Sequence, residues 1–320
     1  MDEFELIRRY FSRLGTARAD VLLGVGDDAA ILRTPDDADL VAAVDTIVAG
    51  RHFPAGSDAR SIGHRSLAVN LSDLAAMGAS PAWAMLSLTL PQAEPDWLEG
   101  FAHGFGELAR AHDVMLVGGD TTAGPLAVSV QIMGHVPRGT ALRRDGGHAG
   151  DLLAVTGTIG DAGAGLALAM GTLTTDDAAA AGELRRRFEY PTPRVEFGLA
   201  ARDLASAAMD LSDGLAGDLP KLAGASGLGA LVDIERLPLS RALRSVAPPE
   251  RARNYALGGG DDYELLLAVP PARFAALAAR AAALNLTLTT IGELRRGNSV
   301  RWTLESQSYV PAVQGYSHFR

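Results

Sequence analysis

The sequence predicts two α+β domains in tandem, on three observations. At 320 residues the chain is about twice a typical domain length. Strand-like and helix-like runs are mixed in each half without a steady βαβ rhythm, which favours α+β over a doubly wound sheet. A stretch rich in glycine and arginine, Pro137 to Gly150, interrupts the alternation near mid-chain. The expected division is residues 1–137, a linker at 138–150, and residues 151–320.

In the first half, Asp39–Val48 reads as a strand and Ala59–Met77 as a long helix. Ala84–Leu90 is a second strand, Asp96–His112 a helix, and Val114–Val117 a short strand entering Gly118-Gly119-Asp120. Leu126–Val136 closes the half with another strand. The second half restarts with the strand Asp151–Thr156. A glycine-rich turn, Gly157 to Gly163, opens a helix over Ala164–Met170. This turn is not a Gly-x-Gly-x-x-Gly fingerprint and reads as a tight strand-to-helix connection. Beyond it come Tyr190-Pro-Thr-Pro-Arg194, a helix near Val195–Ser206 and an acidic turn at Asp210–Asp213. Strands near Leu228–Ile234 and Tyr263–Val269 follow, then a further helix and strand and the tail Gly315-Tyr316-Ser317-His318-Phe319.

Composition narrows the function. A formal charge of −9 repels a phosphate backbone, so nucleic acid is not expected as a partner. Lys221 is the only lysine, so no Gly-Lys dipeptide exists to build a P-loop, and the strand lysine of protein kinases has no candidate. ATP chemistry here needs another route. The chain has no cysteine, which excludes thiolate metal sites and cysteine nucleophiles and suits a reducing cytoplasm. The N-terminal segment carries acids and a helical apolar spacing (Phe4, Ile7, Phe11) rather than a signal-peptide core. The most apolar stretch, Leu265–Leu284, is broken by Pro270, Pro271, Arg273 and Arg280, so no membrane span is expected.

The aspartates carry the functional signal. Asp27 and Asp28 sit in a glycine-flanked turn, and Asp45 lies inside the apolar run VAAVDTIVAG. Asp73 belongs to a helix of Leu, Ala and Met, and Asp120 follows two glycines. Asp210 and Asp213 bracket Leu-Ser, and Asp261 and Asp262 follow three glycines. Unpaired carboxylates in apolar surroundings are costly, and hard divalent cations compensate them. Several Mg²⁺ ions on such loops would neutralise the repulsion between ATP and a phosphorylated acceptor, without a side-chain nucleophile. Taken singly, Gly-Asp-Asp and Gly-Gly-Asp are also turn sequences, and Asp-Leu-Ser-Asp-Gly is also a helix cap. On pattern alone, His52 is a ligand contact or a loop residue, Arg143-Arg144 a phosphate grip or solvated charge, and Tyr316 a packing aromatic.

Read in order, GVGDDAA (24–30), VDTIVAGRHF (44–53), AVNLSDLAAMGASP (68–81), GGDTT (118–122), DLSDGL (210–215) and GGDDYELL (259–266) resemble the thiamine-monophosphate kinase family, as does the closing GYSHF. The resemblance implies the two-domain aminoimidazole ribonucleotide synthetase-like fold, with N-terminal sheets pairing across a homodimer. It implies γ-phosphoryl transfer from ATP to thiamine monophosphate in a cytoplasmic enzyme. Asp28, Asp45, Asp73, Asp120, Asp210 and Asp213 fall at the family's metal positions. Gly119, Asp120, Arg144 and Ser212 fall at its ATP contacts, and His52, Asp261 and Tyr316 at its substrate contacts.

Two departures stand out. Ala43-Val44 replaces the Ser-Thr common before the strand aspartate, and Asp261 replaces a glutamate one methylene longer. Selenophosphate synthetase lacks its reactive cysteine and lysine here. An aminoimidazole ribonucleotide synthetase-like enzyme and a non-catalytic Mg-nucleotide sensor are the alternatives.

Overall fold

A computed structural model describes residues 3–316, with side chains from residue 5 onward; Ser317, His318 and Phe319 of the tail lie outside the described residues. The chain forms two compact units, one running up to Leu74 together with Ala79–Gly139, the other comprising Ala75–Gly78 and the residues from Thr140 onward. No helix or strand occurs between Pro137 and Leu152.

The N-terminal unit starts with α1 (Glu3–Leu6), which continues as a π-helical turn through Phe11. Strands β1 (Val21–Leu23) and β2 (Ile31–Leu32) pair antiparallel around the Gly-Asp-Asp turn. Then follow β3 (Ala38–Val48), α2 (Ala59–Ala76), β4 (Ser80–Leu90), α3 (Pro95–Ala111), β5 (Met115–Ala123) and β6 (Ala127–Pro137). The sheet order is β3-β6-β4-β5, with β4 and β5 parallel and the other pairs antiparallel. Helix α2 buries Leu67, Leu71 and Leu74 completely. The same helix also buries Ser66, Asn70 and Ser72, so it is enclosed on most of its circumference. On β3, the alternate residues Leu40, Ala42, Val44 and Thr46 are exposed on one face of an edge strand, Val44 at 64%.

The C-terminal unit contains β7 (Leu152–Thr156), α4 (Asp161–Ala169), α5 (Ala178–Glu189), α6 (Val195–Ala201), β8 (Ala207–Asp210), α7 (Leu215–Ala225), β9 (Gly229–Asp233), α8 (Arg241–Val246), α9 (Pro249–Gly258), β10 (Leu265–Val269), α10 (Pro271–Ala283), β11 (Leu288–Arg295), β12 (Val300–Leu304) and β13 (Gln307–Tyr309). Its sheet runs β13-β12-β9-β11-β7-β10-β8. Leu153, Val155, Met209, Leu266, Ile291 and Leu294 form the centre of its core.

Among the elements that differ from the sequence reading, three bear on the acidic loops. Strand β5 does not stop at Val117; it runs through Gly118-Gly119-Asp120, because Gly119 at φ 152° pairs against Leu86 where any Cβ would lie 1.8 Å from the Leu86 carbonyl oxygen. The Asp210 segment begins inside a strand, β8. Strand β10 starts at Leu265 and not at Tyr263, since Tyr263 is left-handed at φ 51° and cannot extend a ladder.

Candidate active site

In the N-terminal unit the GVGDDAA turn and the GGDTT segment line one cavity of about 410 Å³. Its apolar side is formed by Ile7, Phe11 and Leu116, and its polar side carries Asp27, Asp28 and Asp120. Asp27 is committed to the turn, its carboxylate accepting the Asp28 N–H at 2.8 Å. The Asp28 and Asp120 carboxylates are exposed and make no hydrogen bond or ion pair with any described residue. Two uncompensated acids on one cavity suit a hard cation or a Mg-phosphate group.

Asp45 is tied to the helix that carries Asp73 through Asn70. The buried Asn70 side chain accepts the Asp45 N–H at 2.9 Å and donates to the Ser66 carbonyl at 2.9 Å, which ties α2 to β3. Asp73 lies three residues on, along the same side of the helix. His52 is half-buried beyond the end of β3, its Nδ1 accepting the Val48 N–H at 3.0 Å. That bond assigns the ring proton to Nε2 in the neutral imidazole.

In the C-terminal unit the DLSDG and GGDDYELL motifs are neighbours, because β8 pairs with β10 with Asp210 opposite Leu265. The Asp261 N–H donates to the Ser212 carbonyl and the Tyr263 N–H to the Leu211 carbonyl, both at 2.9 Å. The Tyr316 N–H reaches the Asp213 carbonyl at 3.0 Å, leaving its ring 43% exposed. Asp210, Ser212, Asp213, Asp261 and Tyr316 thus gather at one end of this sheet. The helix-cap reading of Asp213 does not hold: α7 begins at Leu215 with Gly214 at its N-cap and no side-chain cap, and the buried Asp218 carboxylate accepts the N–H groups of Ser212 (3.0 Å) and Asp213 (2.9 Å) instead. Burial pushes the Asp218 carboxyl up, against the pull of Lys221. Lys221 also bonds Asp213 at 2.5 Å, so Asp213 has an internal cation eight residues away in sequence. Of the adjacent arginines, Arg143 is held by Asp145, while the exposed Arg144 guanidinium has no partner among the described residues.

A buried charge network beneath this end went unread in the sequence. Glu264, fully buried, accepts from Arg187 (2.8 Å), from Arg194 (2.7 and 2.5 Å) and from the Thr156 hydroxyl (2.6 Å). Burial opposes the charge of Arg187, but Glu264, Asp262 and Asp161 raise its pKa on balance. The signal available was an arginine at 194 in a proline-stiffened, otherwise apolar loop. Asp262 accepts the N–H groups of Gly160 (2.6 Å) and Ala162 (3.1 Å), so these donors of the glycine-rich turn are filled by the oxygens of an internal carboxyl group. Burial pushes the Asp262 carboxyl up to about 8, against the Gly160 N–H bond, with Asp161 adding to the rise.

A carboxyl protonated in the fold but ionised from about pH 4 when unfolded binds more protons in the folded state. Its contribution to stability is therefore greatest in acid and is lost as pH rises from 3.8 toward about 8. Thermal melts should show the wild-type midpoint falling across that window relative to Asp262→Asn. Parallel pH profiles would mean that Asp262 is ionised throughout.

Among the described residues no three His, Asp or Glu side chains cluster closely enough to hold a metal ion on their own. Of the six metal candidates, Asp28 and Asp120 share the cavity, Asp45 and Asp73 lie on β3 and α2, and Asp210 and Asp213 flank Leu211-Ser212.

Residues 26–136 match the family model described as AIR synthase related protein, N-terminal domain, and residues 148–305 match AIR synthase related protein, C-terminal domain. The fold is that of an AIR synthase related protein. The thiamine-monophosphate kinase of Escherichia coli K12 is 45% identical over 318 residues, covering 99% of this chain and 98% of the relative. The crystal structure of thiamine-monophosphate kinase from Stenotrophomonas maltophilia K279a is 48% identical, with a TM-score of 0.85 over 91% of this chain and 93% of that one. AaThiL complexed with AMPPCP and TMP is 30% identical, with a TM-score of 0.79 over 89% of each chain. The chain belongs to the thiamine-monophosphate kinase family.

Proposed function

We propose that this protein transfers the γ-phosphoryl group of ATP to thiamine monophosphate, giving thiamine diphosphate and ADP. The observation that carries the reading is the pair of unpartnered carboxylates, Asp28 and Asp120, facing one cavity in a chain without a P-loop lysine. Membership of the kinase family, and a relative solved with AMPPCP and TMP, support it.

Asp28, Asp45, Asp73, Asp120, Asp210 and Asp213 would hold Mg²⁺, which supplies charge neutralisation between two phosphate-bearing substrates. Their oxygen-only donor set suits that ion, and Asp213 would exchange Lys221 for it. Gly119 lines the cavity and would present the β5 backbone to phosphate oxygens. Arg144 offers a free guanidinium fork to phosphate, and Ser212 a hydroxyl. His52 presents an Nε2–H donor, Asp261 an acceptor, and Tyr316 an exposed ring for an aromatic heterocycle. The acceptor phosphate has a second pKa of about 6 and is ionised at neutral pH, so no catalytic base is needed.

An N-terminal domain of residues 1–137 would carry Asp28, Asp45, Asp73 and Asp120 and a dimerising strand. The apolar exposed face of the edge strand β3 suits pairing with a second copy. No helix among the described residues is long and apolar enough to cross a membrane, and a chain free of cysteine suits the cytoplasm.

Incubation of the purified protein with ATP, Mg²⁺ and thiamine monophosphate should yield thiamine diphosphate, and EDTA should stop it. Absence of product under those conditions rejects the kinase. Light scattering on the same sample should give twice the 33.3 kDa chain mass; a monomer rejects the β3 pairing.

A further inference from the structure

The segment Gly260 to Tyr263 holds three residues in the left-handed region, Gly260 at φ 66°, Asp261 at 63° and Tyr263 at 51°. Only the first is glycine, and strain of this kind persists only where the surroundings over-determine it. They do so here. The Asp261 and Tyr263 N–H groups are bonded to the 211–212 backbone, the Asp262 carboxylate is bonded to the α4 N-terminus, and Glu264 is clamped by Arg187, Arg194 and Thr156. The backbone under Asp261 is fixed; its carboxylate torsions are not fixed by those bonds.

The Tyr263 hydroxyl, on a side chain only 7% exposed, donates to Asp261 Oδ1 at 3.1 Å. The left-handed turn brings the two side chains together across Asp262. We propose that Tyr263 is a positioning residue for thiamine monophosphate, aiming the short Asp261 carboxylate at the substrate. This rests on the reading of Asp261 as a substrate contact. A phenol held by a packed ring restricts a short acid to one orientation, so binding does not have to order it.

The test is a double-mutant cycle on the full-length enzyme, with Tyr263→Phe, Asp261→Ala and the double variant. Tyr263→Phe keeps the buried ring and removes one hydrogen bond to a charged group. The KM for thiamine monophosphate should rise about tenfold, while kcat and the KM for ATP stay within about twofold. Asp261→Ala should raise the same KM at least as much, and adding Tyr263→Phe to it should do nothing further. A wild-type KM in Tyr263→Phe, an equal change in the KM for ATP, or additive effects in the double variant overturns the positioning role. An unchanged KM in Asp261→Ala overturns the substrate assignment, and the proposal with it.

Discussion

Asp120→Asn is expected to lower kcat by about three orders of magnitude while leaving the melting temperature nearly unchanged. The asparagine keeps the shape of the side chain and removes its charge. In the apo fold that charge does no structural work: Asp120 is exposed at the cavity and has no partner among the described residues. Surface replacements of this kind change stability by about 0.5 kcal/mol or less. In the reaction its role is large, because charge on the transferring phosphoryl group must be neutralised without a lysine, and one lost carboxylate loosens the ion that would do it. Steady-state kinetics beside a thermal melt separates the two effects. A variant with near-normal turnover would remove Asp120, and the cavity with it, from the active site.

Glu264→Gln should show the opposite pattern, a loss of stability of about 3–5 kcal/mol in the C-terminal unit. The glutamine can still accept one hydrogen bond, but Arg187 and Arg194 would remain, mostly buried, with half their compensation gone. For a unit of this size the loss corresponds to a fall in melting temperature of about 10 °C. Urea unfolding read by a C-terminal-unit probe such as Trp302 checks this, and a shift below about 1 kcal/mol would show that Glu264 only fills space.

The acidic loops were legible because a carboxylate in apolar or glycine-rich sequence is a local anomaly, visible without neighbours. Asp28, Asp45, Asp73, Asp120, Asp210, Asp213 and Asp261 all follow from that rule. Asn70, Asp218, Glu264 and Arg187 do not. Asn70 is one polar residue in a helix, and only its buried position against β3 gives it a task. Arg187 sits in the charged run Leu184-Arg-Arg-Arg187, and its neighbours Arg185 and Arg186 are exposed while it is not. Nothing in the run distinguishes the three; only the way α5 packs does.

The sequence by itself determined the α+β class, most helices and strands, the lack of a P-loop and the positions of the acids. Each of these depends on residues within about a dozen positions of one another, through periodicity, turn chemistry or local composition. The tertiary structure alone decided which acids keep their charge open. Lys221 reaches back to Asp213, Asp145 takes Arg143 and leaves Arg144, and the turn at Gly157–Gly163 is filled by Asp262 from about a hundred residues away. Those pairings depend on strand order and helix packing, and ion pairs and hydrogen bonds act over a few ångströms irrespective of distance along the chain.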